Sequence, residues 1–282
     1  LLVVQQTIEA KYVESLTTAR QALKLLNLDL PTSETIESAL QQVFAEVKTY
    51  LGDREISSLR QAPENQNPVY RLATQLYISL DPPTYIMGDL NLYMYVSVKA
   101  VALSLQYGNL AESAKGYANY GLIVGSGLGD FQTGYQFGKL AVEVSKQFHS
   151  LAYECKTDLL LGSWIHSWRQ PLRGAKRYNL DGYHAGMEVG EVQFASYNIF
   201  GYITNSWVEG SPLAEVQNRI TEYLPAINRA KNDLTTDTVL GIQLTILLLT
   251  GQPESVVRYG EALSEPEYRE RCFTSPLGYA TY

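Results

Sequence analysis

From Leu103 to Val144 the chain reads LSLQYGNLAESAKGYANYGLIVGSGLGDFQTGYQFGKLAVEV. The pattern is two helices joined by a glycine turn. Asn109 has the chemistry of a helix N-cap, because its side-chain oxygen can accept from an exposed backbone N–H. Glu112 stands three residues on, as in a capping box. Ala114, Ala118, Gly121 and Gly125 then recur at spacings of four and three, a small-residue stripe that lets another helix approach closely. Gly125, Gly127 and Gly129 end the helix, since glycine tolerates the left-handed C-terminal conformation, and Asp130 is placed to cap the next helix. That helix presents Phe137, Leu140, Val144 and Phe148 on one face, broadened by Phe131, Tyr135, Gly138 and Val142. One such hairpin cannot bury both its faces, so further helices must pack on it.

Working outward, the same period recurs. Toward the N-terminus, Ile8, Tyr12, Leu16, Ala19, Leu23 and Leu26 line one face of a helix expected over residues 5–27. Pro31-Thr32-Ser33 breaks it, and a second helix runs to about Leu51. A short helical piece, Arg54 to Arg60, precedes the polar loop APENQNP, and residues 60–68 read as a soft joint. A helix from about Val69 ends at Asp81-Pro82-Pro83, because proline disfavours helix in its predecessor, and another runs from about Tyr85 to Tyr107. Toward the C-terminus, helices are expected over 151–168, to Val189, and over 192–208, 213–231, 236–250, 254–263 and 266–273. Ser264 and Glu267 form the box of the last one. Turns fall about every twenty residues, so a helix pair occupies about forty, and no window shows convincing strand alternation. The expectation is an all-α chain, one helical-repeat domain over residues 1–282, built as a solenoid of antiparallel helix pairs.

Composition narrows the function. The 282 residues are 45% hydrophobic, enough for a large core. A net charge of −7 with scattered Lys and Arg argues against a nucleic-acid partner. Cys155 and Cys272 lie 117 residues apart, which fits a reducing compartment better than a disulfide scaffold. The opening LLVVQQTIEAKYVESL has no initiator Met and reads as a piece of a longer protein. The most apolar run, Val239 to Leu249, is short for a bilayer and reads as a buried helix, so no membrane insertion is expected.

No catalytic constellation emerges, and no metal or cofactor is expected. Gly125-Ser126-Gly127-Leu128-Gly129 lacks the Walker A spacing, and Gly138-Lys139 has Thr133 where the first glycine should stand. His149, His166 and His184 have no ligand partners at metal spacing, and Cys155 and His166 stand about three helical turns apart. No serine sits in a G-x-S-x-G elbow. Tyrosine is abundant instead, at 21 residues, and fills helix interfaces while keeping a polar tip. Tyr117, Tyr120, Tyr135, Trp164 and Trp168 are the candidate interaction surface, on what would be the concave face of the central repeats.

The wording of several segments adds a resemblance. These are S-L-Q-Y-G-N at 104–109, A-N-Y-G-L at 118–122, G-D-F-x-x-G-Y-x-F-G-K-L-A at 129–141, and the Cys155-Lys156 helix ending in a Trp. G-M-E-V-G-E-V-Q-F-A-S-Y-N at 186–198 completes the set. They resemble the tetratricopeptide-like helical region of very large multidomain bacterial signalling proteins, common in cyanobacteria. In that family a serine/threonine kinase and a P-loop ATPase precede the helical region, and sensor modules and a histidine kinase usually follow. The resemblance covers roughly residues 90–215 and carries packing and turn residues, so no catalytic residue transfers. It implies a cytoplasmic, non-catalytic scaffold or regulatory segment whose partners are the neighbouring kinase and ATPase domains or other proteins. A homo-oligomer is compatible with it. The competing expectation is a small-molecule or peptide sensor with an aromatic-lined pocket; a closed cavity favours the sensor, an open groove the scaffold.

Overall fold

The computed structural model describes residues 1–252 and 255–274. The chain is mostly helical, at 78% helix, as the face pattern requires. It divides into two compact units, Leu1–Tyr153 and Glu154–Tyr282. The segment expected as a soft joint, residues 60–68, falls inside the first unit.

The first unit opens with α1 (Leu2–Ile8) and α2 (Tyr12–Leu25), which replace the single helix expected over 5–27. The break is at Ala10, whose φ of 57° no α-helix accommodates. Next come α3 (Ile36–Leu51), a 3-10 turn at Ile56–Gln61, and α4 (Pro68–Ser79). α4 ends just before Asp81-Pro82-Pro83, as expected, and the same three residues open a short helix that was not expected, α5 (Asp81–Ile86). Prolines in a first turn remove no intrahelical bond, and the Asp81 carboxylate meets the Lys115 ammonium at 2.8 Å. The longest helix of the unit, α6 (Leu90–Tyr107), is apolar nearly all round and buries residues on every side, packing on α3, α4, α5 and α7 (Ala111–Leu122).

The central hairpin forms as the small-residue stripe predicts. α7 runs into a π-helical turn, Ile123–Gly127, and α8 spans Phe131–Gln147. Gly129 takes a φ of 76°, and the Asp130 carboxylate accepts from the Thr133 amide at 3.0 Å. A Cβ on Gly134 would lie 2.6 Å from the Gly121 carbonyl oxygen, and Ala118 is fully buried, so the backbones touch. Asn109, expected to cap α7, does something else. It is fully buried, donates through Nδ2 to the Leu59 carbonyl (2.9 Å), and accepts at Oδ1 from the Tyr117 hydroxyl (2.8 Å). The N-cap position falls to Leu110, whose amide donates to Ser113 Oγ at 2.9 Å. Asn109 also joins the 60–68 segment: its amide donates to Pro63 and its carbonyl accepts from Asn65.

The second unit repeats the device with polar filling. After α9 (Leu151–Leu160) the backbone widens into a π turn, Leu161–Ile165, and tightens into a 3-10 turn, His166–Trp168. α10 (Ala175–Val189) and α11 (Val192–Val208) then pair antiparallel, Gly182 against Asn198 and Gly186 against Ala195. Asn205 Nδ2 donates to the Gly162 carbonyl (3.1 Å) and to Asn179 Oδ1 (2.9 Å), and Asn179 Nδ2 donates to Ser163 Oγ (2.9 Å). α12 (Leu213–Arg229) carries Pro225 in its interior, and α13 (Asp233–Thr250) closes the core.

α13 has 18 residues, longer than its eleven-residue apolar run, and a mean hydropathy of 1.2, sufficient in length and composition to cross a membrane. In this fold Val239, Leu240, Ile242, Leu244 and Ile246 on it are buried in the core. The helix expected over 254–263 is a β-hairpin where it is described: β1 (Ser255–Arg258) pairs antiparallel with β2 (Glu261–Ser264). Tyr259 and Gly260 both have positive φ, 49° and 93°, the type I′ geometry that matches strand twist. The last helix, α14 (Glu265–Thr274), starts where the box predicts: Glu267 Oε2 accepts from the Ser264 amide at 2.8 Å and its hydroxyl at 2.6 Å.

Candidate interaction surface

The five aromatics expected on one inner face do not share an environment. Tyr117 and Tyr120 are core residues and present no recognition surface, which corrects that assignment. Both rings pack on Phe137 of α8, with centroids 5.9 and 4.8 Å away, because the glycine contact draws α8 onto the face that carries them. Burial pushes the Tyr120 hydroxyl up to about 12. Tyr135, on the outer side of α8, is half-buried. Trp164 and Trp168 belong to the second unit. The π turn directs Leu161, Gly162 and Ile165 inward and leaves Trp164 52% exposed; Trp168 is half-buried.

Tyr135 stands one helical turn from a groove of about 590 Å³ in the first unit. Leu51, Ile56 and Leu140 supply its apolar lining, and Glu55, Lys139 and Glu143 its charged rim. Lys139 and Glu143 follow Tyr135 at i+4 and i+8 along α8, so the three form one row. Arg54 fixes the opposite wall. Its guanidinium donates to the carbonyls of Tyr50, Leu51 (3.3 Å) and Leu105 (3.2 Å), tying the end of α3 to α6. The groove is open on one side and carries both signs of charge, an arrangement suited to complementary side chains.

Two groups with chemical potential elsewhere, Cys155 and His166, are buried. Cys155 is fully buried; burial and the Glu191 carboxylate push its thiol up to about 12, against a weaker pull from Lys156. His166 is buried beside Gly174 and Tyr178, and burial lowers its pKa against a hydrogen bond with the Pro171 backbone. Among the described residues no three His, Cys, Asp or Glu side chains are grouped to hold a metal. The hydrogen bond between Asn205 and Asn179 was not anticipated, nor was Asn198, whose Nδ2 donates separately to the Cys155 and Phe194 carbonyls. The sequence signal for two of these asparagines is the seven-residue spacing of Asn198 and Asn205, which puts both on one face of α11.

No family model matches the chain, and no solved structure matches it. It is similar to a curated signalling protein, the Hybrid signal transduction histidine kinase G of Dictyostelium discoideum. The identity is 25% over 171 residues, 60% of this chain. The chain spans 5% of the length of that relative.

Proposed function

We propose that this chain is a non-catalytic scaffold and regulatory segment of a multidomain signal-transduction kinase, a tetratricopeptide-like helical-repeat solenoid. It mediates contact with neighbouring domains of its parent protein or with other proteins. The observation that carries this reading is the row of Tyr135, Lys139 and Glu143 beside an open, apolar-lined groove. Helical repeats bind partners on such surfaces, with affinity concentrated in a few half-buried anchors. The likeness to a histidine kinase supplies the signalling context. The test is an affinity measurement between this chain and the flanking domains of the parent protein. Lys139→Glu and Glu143→Lys, both on the groove's rim, are expected to weaken binding at least about tenfold while the melting temperature stays within a degree or two. Unchanged affinity in both variants rejects the groove as the contact.

A further inference from the structure

The geometry points to a second binding site, in the Glu154–Tyr282 unit, that takes a small organic cation with an apolar body. A pocket of about 390 Å³ lies between α13 and α14, with Trp207 of α11 as one wall. That volume falls in the range of small-molecule sites. Thr245 and Leu248 of α13 and Glu265 and Tyr268 of α14 complete the lining that matters here.

The walls are fixed. The Tyr268 hydroxyl donates to the Asp237 carbonyl at 2.7 Å, which pins α14 to α13. Ser264 and Glu267 cap the same helix, so the first turn that carries Glu265 is anchored at both ends. The charge is one-sided. Among the described residues that line the pocket, Glu265 is the charged one. Its ion-pair partner Arg269 reaches it at 3.6 Å from one turn along the helix, is half exposed, and stands outside the lining.

Three ligand classes can be ranked on that basis. An anion would face the Glu265 carboxylate, and none of the described lining residues is a cation that would offset it. A neutral apolar molecule would fill the volume but strip water from Glu265 without replacing its contacts. An ammonium ion with an apolar tail pairs with Glu265, offers its cationic face to the half-buried Trp207 indole, and lays its tail against Leu248. The chain's net charge of −7 adds attraction for a cation at longer range. The site is separate from the groove beside Tyr135, with which it shares no residue.

The experiment is a ligand-observed NMR titration of the 282-residue chain near neutral pH with three probes of one shape. These are 2-phenylethylammonium, 2-phenylethanol and 3-phenylpropionate. The ammonium is expected to bind saturably and at least about tenfold more tightly than either of the others. Glu265→Gln should bring its affinity down to that of the alcohol. Thr245→Phe, at an exposed lining position, should block the pocket and abolish binding with an unchanged thermal melt. Lys139→Glu should leave ammonium binding as it is, which separates this test from that of the groove. Equal binding of the three probes, no saturable ammonium binding, or binding indifferent to Thr245→Phe overturns the proposal. Should Glu265→Gln fail to fold, the probe comparison and Thr245→Phe decide it alone.

Discussion

The Tyr117 hydroxyl donates to Asn109, and Asn109 in turn donates to the Leu59 carbonyl, so three distant pieces of chain share one buried relay. Asn109 and Tyr117 are both fully buried. Tyr117→Phe keeps the ring but leaves Asn109 Oδ1 without its donor, at an expected cost of about 1–3 kcal/mol. Tyr117→Ala also opens a cavity against Phe137 and should cost about 3–5 kcal/mol. Denaturant melts of the two variants check this. If Tyr117→Phe melts like the parent, the relay contributes nothing to stability. Tyr117 is thereby a residue whose chemistry belongs to folding, and its exclusion from the recognition surface follows from the same hydrogen bond.

At the scale of elements, contacts between backbones set the geometry. A Cβ on Gly121 would lie 2.7 Å from the Gly134 carbonyl oxygen, and the reverse contact is 2.6 Å. Neither backbone can yield without separating α7 from α8. Gly134→Ala and Ala118→Leu are therefore each expected to destabilise by about 1–3 kcal/mol through overpacking. A helix pair that tolerates both without a change in melting temperature is not held at this distance. The β-hairpin is held differently. Arg258, 5% exposed at its side chain, meets Asp237 at 2.5 Å and Asp233 at 2.7 Å, which latches β1 onto α13. Arg258→Met leaves Asp237 buried without its cation and should cost about 3–5 kcal/mol, read in thermal unfolding. The double variant Arg258→Met, Asp237→Leu should recover much of that loss, because neither charge is then left uncompensated.

For the whole chain, acid sensitivity has an identifiable contributor in His166. Burial holds its folded pKa below the ordinary 6.5, so the folded chain keeps the ring neutral while the unfolded chain takes up a proton. The unfolded state thus binds more protons below 6.5, and His166's contribution is intact above that value. It is lost progressively as pH falls from there through the depressed folded value. The parent chain should lose more melting temperature between neutral and mildly acidic pH than His166→Gln does. Parallel curves for the two would remove His166 from the account.

The sequence by itself determined helix content, the central hairpin and most helix positions, because these rest on local rules. Apolar spacing, small-residue stripes, Gly129-Asp130 and the Ser264–Glu267 box act within one or two turns of chain. It was also sufficient to set Gly121 and Ala118 at a close contact, since only small side chains permit one. Tertiary structure alone decided the rest. Asn109 has the local chemistry of a cap, but Leu59 and Tyr117, fifty and eight residues away, claim its side chain. Residues 255–264 carry helical charge spacing, yet Val256 and Arg258 point into the core and Asp237 waits there for the guanidinium. Tyr117 and Tyr135 lie on one helical hairpin, and a sequence gives both the same amphipathic ring. Which ring packs on Phe137 and which stays half-buried near a groove depends on how α8 lies against α7, a distance fixed where Gly121 meets Gly134.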